Sequence, residues 1–188
     1  MNEFEIRFSG SGGQGLQLVA RIAATALVNK GLKVSFSQSY EPTSRGGLSR
    51  SDLVVASDTI DYPLPTALDF LLIMHEVAVD HSIHLMKEGG LVLLDREQIS
   101  TAPQGSFVTN SFSLIETARR IGSIRVANIV GLGALAGLGG FCEQRFLEQA
   151  TREHAPKNFI DLNLEALRAG FELADSADKE HYPAKEIA

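Results

Sequence analysis

The chain has 188 residues, 44% of them hydrophobic, and a formal net charge of −6, which is the size and composition of one water-soluble globular domain. Scattered Lys and Arg in an acidic chain argue against nucleic acid as the main partner, and no apolar run is long enough to cross a bilayer, so a cytoplasmic protein is expected. Cys142 is the only cysteine, which excludes an internal disulfide, a four-cysteine zinc site and an iron–sulfur cluster held by this chain alone.

The alternating run "FEIRFS" predicts the first strand. A glycine-rich loop, "GSGGQG", leads into a helix over Leu16 to Asn29 that sets Leu18, Ile22, Ala26 and Leu27 on one face, with Gly31 as its C-terminal stop. "KVSFSQSY" predicts a second strand, expected beside the first, and "LSRSDLVVAS" another after the loop "EPTSRGG". "DFLLIM" reads as a short buried strand, "HEVAVDHSIHLMKEGG" as a helix ended by glycines, and "LVLLD" as a central strand. "SFVTN" suggests one more strand, and Ser113 with Glu116 suggests a capping box opening the helix "LIETARRIG". From Asn128 to about Ala177 the pattern is helical, interrupted near "HAPKN", with "VANIVGLGALAGLGGF" as a close-packed buried helix. This β-α-β rhythm predicts an α/β fold: a Rossmann-like, doubly wound, mostly parallel sheet with helices on both faces and a helical C-terminal third. Residues 1–176 are expected to form a single domain and 177–188 a polar tail.

A glycine loop between a first strand and its helix lets backbone approach an anion and presents the free N–H groups of the helix N-terminus. Gly10, Gly12 and Gly15 fit the spacing G-x-G-x-x-G. A nicotinamide site also wants an acidic residue at the end of the second strand, where "SFSQSY" has none, and no Lys followed by Ser or Thr closes the loop as a nucleoside-triphosphate loop requires. The loop therefore suits a phosphate or other anion, with a simple packing turn as the alternative. Gln14 favours a ligand, because an amide beside bare N–H groups can orient one. Arg45, ahead of two glycines in the next loop, could reach the same anion; Arg45 and Arg50 could equally be solvated or interfacial.

Other residues carry weaker signals. His75, His81 and His84 lack zinc-protease spacing and read as surface or interface histidines, and His154 as a charge near a helix end. Asn128 is either an N-cap, the favoured reading, or a site residue. Gly133 and Gly137 leave room for another helix, including one of a partner subunit, and Cys142 reads as a small buried side chain.

Taken in order, "GSGGQG", "QSYEPTSRGGLSRSDLVVAS" with "IDYP", "KEGGLVLLD" and "NIVGLGALAG" resemble the gamma subunit of 2-oxoacid:ferredoxin oxidoreductases, most nearly the 2-oxoglutarate branch. The resemblance runs from about Phe4 to Ala174. It implies an oxidoreductase subunit that is inactive alone. It also implies alpha and beta partner subunits carrying thiamine diphosphate, magnesium and iron–sulfur clusters, with ferredoxin or flavodoxin as electron acceptor and coenzyme A as co-substrate. By motif, Gly10, Gly12, Gly13, Gln14 and Gly15 would form the anion-facing loop, and Arg45, Gly46 and Gly47 the second ligand or interface loop. Glu41 and Ser49 depart from the family pattern, which more often has glycine and cysteine there. No catalytic residue and no metal ligand is expected in this chain, and a homodimer is expected when it is isolated. The alternatives are a non-catalytic assembly or anion-binding module of the same fold, and a nicotinamide or flavin reductase.

Overall fold

The computed structural model describes residues 3–41 and 46–177. Strand β1, Glu3–Ser11, forms because Phe4, Ile6 and Phe8 alternate with Glu5, Arg7 and Ser9, giving it one apolar and one polar face, both buried. Helix α1, Leu16–Asn29, follows with Val19, Ile22, Ala23, Ala26 and Leu27 fully buried, and stops at Gly31, whose φ of 97° only glycine adopts freely. Strands β2, Lys33–Tyr40, and β3, Leu48–Ala56, pair antiparallel, and β3 lies antiparallel beside β1. Strands β4, Leu68–Ile73, β5, Met86–Asp95, and β6, Val108–Phe112, then add parallel to one another on the other side of β1, for an order β2-β3-β1-β4-β5-β6. Helices α2, Leu114–Ile121, α3, Ala127–Gly139, α4, Gln144–His154, and α5, Ile160–Ser176, complete the chain.

The α/β class and the helical final third match the sequence reading. Three details differ. The second strand is not beside the first: the stretch between Tyr40 and Leu48 is too short for a parallel crossover, which takes about a dozen residues, so β2 and β3 pair as an antiparallel hairpin, and β3 is the member of that hairpin next to β1. The helix expected from His75 is replaced by 3₁₀ turns at Glu76–Ala78 and Ile83–Leu85, and β5 already begins at Met86. The glycine pair mistaken for a helix stop marks a bulge inside that strand: Gly89 has φ 69°, a Cβ on Gly90 would lie 3.2 Å from the carbonyl oxygen of Asp69, and the β4–β5 register shifts there. "LVLLD" is thus flanked by strands on both sides but sits one place in from the edge.

Ser113 does occupy the N-cap of α2, but its side chain caps nothing and there is no capping box. Asp95 at the end of β5 takes that role, accepting the N–H of Ile115 at 3.0 Å, while Glu116 pairs with Arg119 and Arg120. Burial raises the Asp95 carboxyl above the usual range, against the lowering effect of the N–H groups of Glu97 and Ile115.

All five α-helices of the described residues contribute to one core against Phe4, Ile6, Phe8, Leu53, Val55, Phe70 and Leu72. The second face, where helices were also expected, carries only 3₁₀ turns and loops among the described residues, because the connections from β4 to β5 and from β5 to β6 form no α-helix: Leu71, Ile73, Val92 and Leu94 pack there with Ala78 and Ile99. On β1 that second face is a polar seam with its groups paired. Glu5 accepts the N–H of Thr66 and Ala67 at 2.8 and 2.6 Å, Arg7 grips Asp52 at 2.7 and 3.0 Å, and Ser82 donates to Ser9 at 3.2 Å.

Helices α3 and α5 cross at bare backbone. A Cβ on Gly133 would lie 2.2 Å from the carbonyl oxygen of Leu167, and one on Gly170 2.2 Å from that of Val130. The helix that Gly133 and Gly137 admit is therefore α5 of the same chain, not a partner's.

Candidate functional site

The glycine loop lies at the carboxyl ends of β1 and β4, between strands whose connections run in opposite directions, where open α/β sheets form their ligand crevice. Its conformation is held by the side chains of Gln14 and Asn128. Gln14 Oε1 accepts the N–H of Ser11 at 2.8 Å and its Nε2 donates to the carbonyl of Met74 at 3.0 Å, so the amide braces the loop to the end of β4. A Cβ on Gly10 would lie 2.3 Å from that same Oε1, so glycine is required beside the brace. Asn128 Nδ2 donates to the carbonyl of Gly15 at 3.1 Å, and Oδ1 accepts the N–H of Ile129 at 2.8 Å. Asn128 is thus not an N-cap: it stands inside the first turn of α3 and ties that helix to the start of α1. Gly15, with φ 72° and only 2.4 Å between an added Cβ and Asn128 Nδ2, is constrained twice.

The N-termini of α1 and α3 consequently meet at one cavity of about 370 Å³, lined by Gly13, Gln14, Gly15, Leu18, Met74, Ile115, Ile124, Arg125, Ala127 and Asn128. Leu18 and Val19 donate to the carbonyl of Gly15, whereas the N–H groups of Gly13, Gly15, Leu16 and Gln17 have no acceptor among the described residues. Two helix N-termini make this end of the cavity electropositive. Arg125 adds a full charge at the rim; it is exposed and has no ion-pair partner among the described residues. A second, mostly apolar cavity of about 290 Å³ adjoins it, sharing Leu18 and Arg125 and adding Val126, Pro156, Phe159 and Leu162.

The structure brings most of the anticipated residues together. Gly12 N–H donates to the carbonyl of Gly47 at 2.9 Å, so the two glycine-containing loops touch, and Gly46 takes the left-handed conformation at φ 78°. Only Gly13, Gln14 and Gly15 line the cavity itself; Gly10 belongs to β1, and Gly12, Gly46 and Gly47 form the contact behind it. Arg45 lies outside the described residues. Arg50 stands on β3 opposite Ser9, over the polar face. Glu41 is exposed, and its Oε2 accepts the N–H of Leu48 at 3.2 Å. Arg125 was missed by sequence reasoning, although its place just ahead of the glycine-rich helix is a usable signal once that helix is known to begin beside the glycine loop.

The histidines serve local structure. His75 Nδ1 accepts the N–H of Val77, the Nδ1 of His84 is bonded to the carbonyl of Asp80, and His154 Nε2 meets Thr25 Oγ1 at 2.7 Å, fastening α4 to α1. No cluster of His, Cys, Asp or Glu suited to a metal exists among the described residues. Cys142 is buried, with its thiol pushed up to about 12 by desolvation, so it is poorly suited to ligate a cluster. No helix of the described residues is long and apolar enough to cross a membrane.

A mixed α/β sheet with a glycine crevice at the carboxyl ends of β1 and β4 defines an α/β protein of the kind that takes a ligand at the ends of its strands. The chain belongs to the pyruvate ferredoxin/flavodoxin oxidoreductase family, whose model matches residues 5–173. The 2-oxoglutarate synthase subunit KorC of Methanocaldococcus jannaschii is 36% identical, over 90% of this chain and 93% of its own. A keto/oxoacid ferredoxin oxidoreductase gamma subunit from Geobacter sulfurreducens superposes with a TM-score of 0.85 at 38% identity, covering 94% of this chain and 99% of that one. A 2-oxoglutarate:ferredoxin oxidoreductase from Magnetococcus marinus, solved with 2-oxoglutarate, coenzyme A and succinyl-CoA bound, shares the fold with a TM-score of 0.83 at 22% identity, over 95% of this chain and 32% of that one. Subunits of ketoisovalerate and indolepyruvate oxidoreductases match as well, at 31% and 27% identity. The chain is a gamma subunit of a 2-oxoacid:ferredoxin oxidoreductase, and other subunits of that complex are its partners.

Proposed function

We propose that this gamma subunit serves an enzyme that converts 2-oxoglutarate, coenzyme A and oxidised ferredoxin to succinyl-CoA, carbon dioxide and reduced ferredoxin, in the cytoplasm. Its own task is to hold the anionic part of coenzyme A. The observation that carries this reading is the convergence of two helix N-termini, the N–H groups of Gly13 and Gly15 and the Arg125 guanidinium, none of them with a partner among the described residues, on the cavity of about 370 Å³. The diphosphate and 3′-phosphate of coenzyme A suit such N–H groups and a guanidinium. Thiamine diphosphate, magnesium and iron–sulfur clusters are assigned to alpha and beta partner subunits, in keeping with the donor set here: one buried, high-pKa thiol and no ligand cluster among the described residues. Alone, the chain is expected to turn nothing over.

The test uses the assembled complex. Arg125→Gln, at an exposed position outside the core, is expected to raise the KM for coenzyme A by roughly 10- to 100-fold, the worth of a charge-assisted hydrogen bond, with KM for the 2-oxoacid unchanged and partial recovery in Arg125→Lys. Coenzyme A kinetics indifferent to both substitutions would reject the cradle. Turnover preferring pyruvate, 2-oxoisovalerate or indolepyruvate would reject the substrate assignment separately. The Gln14 amide, bonded to backbone at both ends, favours a second reading in which the loop is a self-braced packing element of an assembly module. That reading predicts normal coenzyme A kinetics in every Arg125 variant that assembles.

A further inference from the structure

Strand β2 forms an edge of the sheet, and its outer backbone is open. The Glu41 N–H donates to the carbonyl of Leu48 at 2.9 Å, continuing the β2–β3 ladder by one residue. This bond fixes the phase: the odd-numbered residues from Lys33 to Glu41 turn their backbone groups toward β3, and Val34, Phe36, Gln38 and Tyr40 turn theirs outward. No hydrogen bond reaches those outward groups among the described residues. The opposite edge differs. Strand β6 is shorter, and the Arg96 guanidinium donates at 2.6 Å to the carbonyl of Ser111, which faces outward because the next carbonyl, Phe112, receives a bond from the β5 side.

The open edge is self-complementary. Residues 33–41 read Lys-Val-Ser-Phe-Ser-Gln-Ser-Tyr-Glu, with opposite charges at the ends and serines placed symmetrically about Ser37. We propose that two copies of this chain join β2 to β2 in antiparallel register about Ser37, making one continuous sheet through a two-fold dimer. In that register Phe36 opposes Gln38 of the second copy and Val34 opposes Tyr40. These are the outward-facing residues, so each pair exchanges two backbone hydrogen bonds. Ser37 meets its own mate in a non-hydrogen-bonded pair. Lys33 opposes Glu41 of the second copy at both ends, on the same face of the sheet. Both are exposed and neither has an ion-pair partner among the described residues, although Glu41 Oε2 also accepts the N–H of Leu48. Phe36, 38% exposed at the centre of the strand, is flanked across the pairing by Gln38. A one-residue slip would set outward groups against inward ones, and a two-residue shift to a Phe36 centre would put Lys33 opposite Ser39 and lose both ion pairs.

The register makes a cross-linking test specific. Opposed residues of a non-hydrogen-bonded pair have Cα atoms about 4.5 Å apart, within disulfide range. In the full chain under mild oxidation, Ser37→Cys is expected to link two copies, whereas Ser39→Cys, whose opposite residue is Ser35, is not. Buried Cys142 does not interfere. In sedimentation equilibrium Lys33→Glu is expected to weaken the dimer about tenfold, because two attractive pairs become repulsive, and adding Glu41→Lys is expected to restore it. A chain that stays monomeric at all concentrations, equal cross-linking by both cysteine variants, or an assembled complex in which Ser37→Cys links to a different subunit would overturn the proposal.

Discussion

Gln14 shows how one side chain can set the shape of a site through its contacts with backbone. Its amide supplies the acceptor that Ser11 N–H needs and the donor that Met74 carbonyl needs, joining the end of β1 to the residue after β4. Neither carboxylate nor hydrocarbon can do both. Gln14→Leu leaves a partly buried donor and acceptor unpaired, so a loss of about 1–3 kcal/mol is expected in a urea titration of the chain. A variant as stable as the parent would show that the loop holds its shape without the brace. The sequence singled out Gln14 but not its brace, because nothing in the local string places Met74 within reach. Asn128 read as an N-cap because its partner, Gly15, is distant in sequence and becomes visible only when α3 is packed.

At the scale of elements, the crossing of α3 and α5 is where packing overrules intrinsic propensity. Replacing Gly133 by Ala should help an isolated helix by about 1 kcal/mol. Here the new Cβ would lie 2.2 Å from the carbonyl oxygen of Leu167 and 3.2 Å from Gly170 Cα, both backbone atoms that cannot turn aside. Separating the helices is expected to cost more than the propensity gain, for a net destabilisation of about 1–3 kcal/mol by thermal or urea unfolding, and stabilisation by Gly133→Ala would contradict the observed crossing. Element boundaries were well marked in sequence where a period was sustained: β1, α1, β2 and the interruption before α5 fell where alternation, helical spacing or proline put them. They were poorly marked where the signal was short. His75 to Gly90 carries apolar residues compatible with a helix, yet the chain uses Val77, Val79, Ile83 and Leu85 in two tight turns and then starts a strand, a choice made by the open second face of the sheet rather than by local preference. Strand order was hidden for a related reason, since β3 returns as a hairpin and no residue on β2 announces which neighbour it will have.

The whole molecule is built on a sheet whose two faces carry different loads, and β4 belongs to both. Leu72 faces the helices and Leu71 faces the 3₁₀ turns, each fully buried, one residue apart. The larger helical core could in principle persist while the smaller one opens, because the second face is held by short turns and by the polar seam of Glu5, Arg7 and Ser9. Two observations argue that it does not. The Arg7 side chain, on β1, is bonded both to Asp52 on β3 and to the carbonyl of His81 in the turn region, so opening the turns leaves a buried charge short of partners. Asp95 reaches Ile115 and so ties the end of β5, which carries Val92 and Leu94 on the second face, to α2 on the other. Leu71→Ala and Leu72→Ala are therefore each expected to lower global stability, by about 2–5 kcal/mol, through one shared transition. Coincident far-UV circular dichroism and hydrogen-exchange midpoints in both variants would bear this out. If Leu71→Ala instead released protection only over the 3₁₀ turns, the second face would be a separately opening layer, and the glycine crevice, whose lining includes Met74 at the head of those turns, would be gated by it.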